Sequence, residues 1–90
     1  MRNPAVVLYS ARGCHLCENA RGQLQALRDQ LGFHLEEVTI DGDADLEARY
    51  REWVPVVEID GERACTYYVQ PEPFRRRLAA AQTRIEGESL

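Results

Sequence analysis

The apolar positions along this chain change period several times, and each change marks an element. Ala5-Val6-Val7-Leu8-Tyr9 is a continuous, β-branched-rich apolar run, the pattern of a strand buried on both faces. After Ser10-Ala11-Arg12-Gly13, residues Cys17, Ala20, Leu24, Leu27 and Leu31 recur at spacings of 3, 4, 3 and 4. That is one stripe of a 3.6-residue helix, expected over about residues 14–31 and stopped by Gly32. Strand chemistry returns in Phe33-His34-Leu35-Glu36-Glu37-Val38-Thr39-Ile40 and breaks at Asp41-Gly42-Asp43. Leu46, Tyr50 and Trp53 then mark a short helix over about residues 43–52. Pro55-Val56-Val57-Glu58-Ile59 is a third strand, and Asp60-Gly61 turns it as a hairpin into a fourth, about residues 63–69. Pro71 and Pro73 open a last helix with Phe74, Leu78, Ala81 and Ile85 as its stripe, and a frayed tail is expected from Glu86 to Leu90.

The predicted order is β-α-β-α-β-β-α. The first β-α-β is a right-handed parallel unit and the last two strands form an antiparallel hairpin. The fold class is therefore α/β, a mixed four-stranded sheet flanked by helices. Ninety residues make one small domain, 1–90, without repeat or linker.

Composition narrows the function. Fifteen acids against 11 bases give a net charge of −4, the wrong sign for nucleic acid or an anionic membrane. The longest apolar run is far below the ~20 residues of a membrane span. No secretory signal pattern opens the chain, so the expectation is a complete, cytoplasmic domain, monomeric by default. All 11 bases are Arg, which removes lysine nucleophile and Schiff-base chemistry. The three cysteines do not suggest a structural disulfide framework.

The candidate chemistry is Cys14-His15-Leu16-Cys17, between a buried strand and a long helix. At the helix start the backbone N–H groups lack partners and the dipole is positive, which favours a thiolate on Cys14. Arg12 and His15 add positive potential, Arg12 as the permanent charge. Cys17 is in phase with the buried stripe and is expected beneath Cys14. An exposed Cys14 would form a mixed disulfide and a shielded Cys17 would resolve it. Two other readings stand beside this one: half of a zinc site completed from Cys65, His15 and His34, and two incidental cysteines at a packed helix start.

Val7-Leu8-Tyr9-Ser10, Gly13-Cys14-His15-Leu16-Cys17-Glu18 and Val54-Pro55-Val56-Val57-Glu58-Ile59-Asp60-Gly61 together resemble the glutaredoxin-like branch of the thioredoxin superfamily. The resemblance covers almost the whole chain. It implies a thioredoxin-like fold with the first strand central, and a thiol–disulfide oxidoreductase with Cys14 as nucleophile and Cys17 as resolving thiol. It also implies a cis Val54–Pro55 bond against the disulfide, with Val54 offering its backbone to an extended substrate. No bound cofactor is implied. The partners would be a disulfide-containing protein or glutathione as substrate, and glutathione or a reductase as electron donor. The chain departs from glutathione-using relatives after the fourth strand. Tyr67-Tyr68-Val69-Gln70-Pro71-Glu72 stands where they carry a Gly-Gly pair and an acid. The alternative is a thioredoxin-fold binding module, or a metal-holding dithiol, without redox turnover.

The remaining residues are assigned structural roles. Cys65 is expected as a small buried hydrophobe and His34 at or near the surface. Tyr9, Tyr67 and Tyr68 are expected in sheet packing, Trp53 in the core or behind Pro55, and Arg75-Arg76-Arg77 on a solvated helix face.

Overall fold

The structure is a computed structural model that describes residues 4–88. Seven elements follow the expected order: β1 (Ala5–Ser10), α1 (His15–Leu31), β2 (His34–Thr39), α2 (Ala44–Tyr50), β3 (Val56–Ile59), β4 (Glu62–Thr66) and α3 (Pro71–Glu88). The sheet order is β2-β1-β3-β4, with β1 inside it. β1 runs parallel to β2 and antiparallel to β3, and β3 and β4 pair antiparallel. The hairpin turns at Asp60 and Gly61, whose φ values of 50° and 85° suit the positive-φ turn that matches strand twist.

Two clusters of unequal size fill the sheet faces. Val6 and Leu8 of β1 meet Ala20, Leu24 and Leu27 of α1 and Phe74, Leu78 and Ala81 of α3 in the main core. Phe33 and Phe74 pack edge to face at 5.4 Å. Each such fully buried side chain contributes about 1.5–3 kcal/mol. The second cluster is Ile40, Tyr50 and Val56, with Tyr9, Ala11, Leu46 and Val54 packed against it. Here Tyr9 and Tyr50 stack at 4.2 Å.

Several expectations are corrected. β1 is buried on one face only, because the shorter α2 leaves Val7 and Tyr9 half-buried. β2 is an edge strand with no buried residue; Leu35 alone reaches the main core from it. Leu31 closes the α1 stripe in sequence but is 38% exposed, since the helix ends there at Gly32, whose N–H donates to the Arg28 carbonyl at 2.7 Å. β4 stops at Thr66. α3 continues to Glu88, so three of the five expected tail residues are helical. Ser89, Leu90 and the Ile85 side chain lie outside the described residues. Cys65 is buried and free, His34 is exposed and Arg75, Arg76 and Arg77 face solvent.

Candidate active site

The site begins where β1 ends. Gly13 adopts a φ of 68°, a conformation that favours glycine, and turns the chain so that Cys14 becomes the N-cap of α1. Helices usually take Ser, Thr, Asp or Asn there. In this chain the Cys14 sulfur fills that role: it accepts the Cys17 N–H at 3.1 Å. The Glu18 N–H donates to the Cys14 carbonyl at 3.2 Å. The Cys14 sulfur therefore sits at the positive end of a 17-residue helix and already holds one backbone donor.

Cys14 and Cys17 are joined as a disulfide, with their Cα atoms 5.2 Å apart. Their environments differ as the helical stripe predicts. Cys17 is 1% exposed, whereas Cys14 is half-buried. Cys14 lines a pocket of about 150 Å³ formed by residues 10–14, Glu18, Arg21 and Thr39. Among the described residues no three of His, Cys, Asp and Glu are grouped to hold a metal ion.

Arg12 is exposed and also lines this pocket. Its N–H donates to the Asp41 carboxylate at 2.9 Å, which ties the loop before Cys14 to the turn that follows β2. His15 has a side chain 95% exposed, 3.6 Å from Glu18. It stands beside the sulfur pair in sequence but points into solvent.

Val54 and Pro55 reach the same end of the sheet through tertiary pairing. Val56 is opposite Tyr9, and Val54 shares an apolar cluster with Ala11 of the loop that carries Cys14. The Val54–Pro55 peptide is cis. The Val54 N–H is already engaged, donating to the Tyr50 carbonyl at 3.0 Å. Among the described residues no group donates to the Val54 carbonyl. Half of the backbone pair that the resemblance assigns to a substrate is therefore spent inside the protein.

A polar network beside the cysteines escaped the sequence reading. Ser10, buried at the end of β1, donates to Glu37 Oε2 at 2.8 Å. Arg21, one turn beyond Cys17, donates to Glu37 through Nε and Nη2, each at 2.6 Å. Arg21 holds the Glu37 carboxyl below its ordinary range, against the opposing push of burial, and Ser10 adds to the lowering. The network ties the first turns of α1 to β1 and β2. Its signal was available: Leu35 and Glu37 alternate onto one strand face, which put a carboxylate on the core side.

The aromatic residues on the other flank depart from expectation. Trp53 is 43% exposed and is not a core residue. Tyr67 and Tyr68 are also exposed rather than packed in the sheet, because β4 ends before them. Tyr9 is packed as expected, on Tyr50. The Tyr50 hydroxyl donates to Glu58 at 2.8 Å. Burial first, and then Glu58, push the Tyr50 pKa up to about 12.

This arrangement was compared with known proteins. Residues 5–88 match the family model described as Glutaredoxin-like domain (DUF836). The chain belongs to that family. An uncharacterized protein of Mycobacterium tuberculosis is 30% identical over 84 residues, covering 88% of this chain and 87% of that protein. The solution structure of a protein from Nitrosomonas europaea is 30% identical and superposes with a TM-score of 0.77, over 87% of this chain and 94% of that one. Thioredoxin from Fasciola hepatica, at 19% identity, a TM-score of 0.59 and coverage of 87% and 80%, shares the fold alone. The glutaredoxin-like chain thus has the thioredoxin-like α/β architecture, with a Cys14–Cys17 pair at the start of its first helix. Among the described residues no helix is long and apolar enough to cross a membrane.

Proposed function

We propose that this glutaredoxin-like chain is a thiol–disulfide oxidoreductase that reduces protein or glutathione mixed disulfides. The observation that supports it is the Cys14 sulfur at the helix N-terminus, accepting the Cys17 N–H at 3.1 Å while Cys17 itself is buried. A donor and a positive dipole at one sulfur favour its thiolate. The second sulfur, within bonding reach and shielded, reacts with its neighbour before it meets solvent.

The reaction balances as two exchanges. The Cys14 thiolate attacks one sulfur of the substrate disulfide, and the other sulfur leaves as a thiolate and takes a proton. The Cys17 thiol loses its proton, attacks Cys14 Sγ and expels the second substrate thiol. Two electrons pass from the dithiol to the substrate, leaving the Cys14–Cys17 disulfide. Two equivalents of glutathione, or a reductase, return it to the dithiol. Arg12, lining the pocket beside Cys14, supplies positive potential for the thiolates formed in the exchange, and the half-buried Val54 offers its carbonyl to an extended substrate with the buried Pro55 behind it. Protein groups suffice for this exchange without a bound cofactor, and the setting is the reducing cytoplasm, with the protein as a monomer and neither nucleic acid nor membrane as partner.

Differential alkylation with mass spectrometry across a glutathione redox series tests the reading. Paired loss of Cys14 and Cys17 labelling at one potential is the expected result, and a glutathione adduct confined to Cys14 identifies glutathione as the donor. Two thiols that stay alkylatable throughout, or stay blocked until a chelator is added, would overturn it.

A further inference from the structure

Beside Pro55 the protein exposes an aromatic surface larger than packing requires. Trp53 and Tyr67 lie 6.2 Å apart between ring centres, and Tyr68 is 64% exposed. Tyr67 is held in place from two sides: its N–H donates to the Pro55 carbonyl at 2.9 Å and its hydroxyl to the Glu52 carbonyl at 2.7 Å. It does so at a φ of 66°, a conformation costly for an aromatic residue and kept where surrounding bonds enforce it. The surface borders the sheet end at which Cys14 emerges, since Val54 and Ala11 share one cluster.

This aromatic surface is interleaved with cations. Arg63 lies 5.8 Å over the Trp53 ring and 6.0 Å from the centre of the buried Tyr50 ring, and Arg49 lies 5.7 Å from that same Tyr50 ring. Among the described residues neither Arg49 nor Arg63 is in an ion pair. Of the nearby acids, Glu58 faces Arg63 across the β3–β4 pair and accepts the Tyr50 hydroxyl, while Glu52 is exposed in the same turn. In a chain of net charge −4, the Arg63 guanidinium over the exposed Trp53 ring presents a cation at this edge that, among the described residues, forms no ion pair.

We propose that the surface formed by Trp53, Tyr67, Tyr68, Arg49 and Arg63 docks the disulfide-bearing segment of a substrate polypeptide with acidic residues near its cysteine. This rests on the oxidoreductase reading and narrows its substrate class. The Val54 N–H is spent on Tyr50, so backbone recognition at Pro55 is limited to the carbonyl. Side-chain contact must supply what the missing hydrogen bond does not. The rings provide amphipathic area with little entropy to lose, and the arginines attract carboxylates while repelling basic sequences.

The sole tryptophan of the chain is Trp53, so its emission reports occupancy of this surface directly. Cys14→Ser protein is titrated with two synthetic disulfide-linked peptides, one flanking its cysteine with Asp and Glu, the other with Lys. The acidic peptide is expected to shift the emission and half-saturate at about fivefold lower concentration, the effect of one to two partly exposed ion pairs. Arg63→Gln should erase much of that preference, whereas Tyr68→Ala should weaken both peptides together. In turnover, the ratio of kcat/KM on the acidic peptide to that on 2-hydroxyethyl disulfide should fall about fivefold or more in the same variants. Equal binding of both peptides, an unmoved emission, or a shift produced by an oligothymidylate but by neither peptide would overturn the proposal. If the wild-type protein reduces no disulfide while Trp53 still discriminates the peptides, the oxidoreductase reading fails and the docking surface stands. If it reduces all three alike with the emission unmoved, the docking surface alone fails.

Discussion

The two flanks of the cysteine pair are built on different principles. On the β2 side, Ser10, Glu37 and Arg21 satisfy one another through three bonds of 2.6–2.8 Å. On the β3 side, Trp53, Tyr67 and Tyr68 are exposed, and among the described residues Arg49 and Arg63 lean on aromatic rings without forming an ion pair. The first flank has completed its interactions within the fold and fixes the start of α1. The second has left interactions unmade, and unmade interactions are what a partner can complete. A reactive sulfur between a closed flank and an open one has a rigid support on one side and an approach on the other.

The largest expected effect removes what the flanks serve. Cys14→Ser should abolish disulfide reduction while leaving the thermal midpoint of the reduced protein nearly unchanged, because Ser is among the preferred N-cap residues. A variant that still reduces disulfides at the wild-type rate would end the mechanism. Cys17→Ser should accumulate a mixed disulfide on Cys14, read as an intact-mass adduct after exposure to substrate. Absence of any adduct would show that Cys14 does not attack first.

Smaller effects separate the flanks. Glu37→Gln should cost about 1 kcal/mol in denaturant unfolding at neutral pH, the scale of a charge-assisted bond discounted for solvent exposure. The sign of its pH dependence follows from the lowered Glu37 pKa, whose leading cause is Arg21. That stability is present above the ordinary Glu pKa of about 4.3 and is lost as pH falls through the lower folded value. The wild-type and Glu37→Gln curves should therefore converge in acid. Tyr50→Phe, on the face that carries the open flank, should cost a similar ~1 kcal/mol or less. Its folded pKa is raised to about 12, so its contribution is complete below the ordinary Tyr pKa of about 10 and fades as pH rises through 12. The two variants should thus differ in which end of the pH range restores equality with wild type.

What the chain's own pattern determined is everything decided by near neighbours. The order of seven elements, the start of α1 at Cys14, the hairpin at Asp60-Gly61 and the burial of Cys17 beneath Cys14 follow from period, cap and turn chemistry within a few residues. The resemblance carried by Val54-Pro55-Val56-Val57 further implied the central place of β1. The tertiary structure decided what depends on where elements stop and what covers them. Leu31 is in phase with the core but emerges because α1 ends beside it, and Val7 and Tyr9 stay half-covered because α2 is only seven residues long. Glu37 became a partner of Ser10 and Arg21 through the parallel pairing of β1 with β2, across 27 and 16 residues. Trp53 and Tyr67, apolar by type and expected inside, lie outside because β4 stops at Thr66 and the turn after Tyr50 carries Trp53 off the helix. Side-chain period records which face a residue shares. It does not record whether anything packs against that face, and that is settled only when distant segments meet.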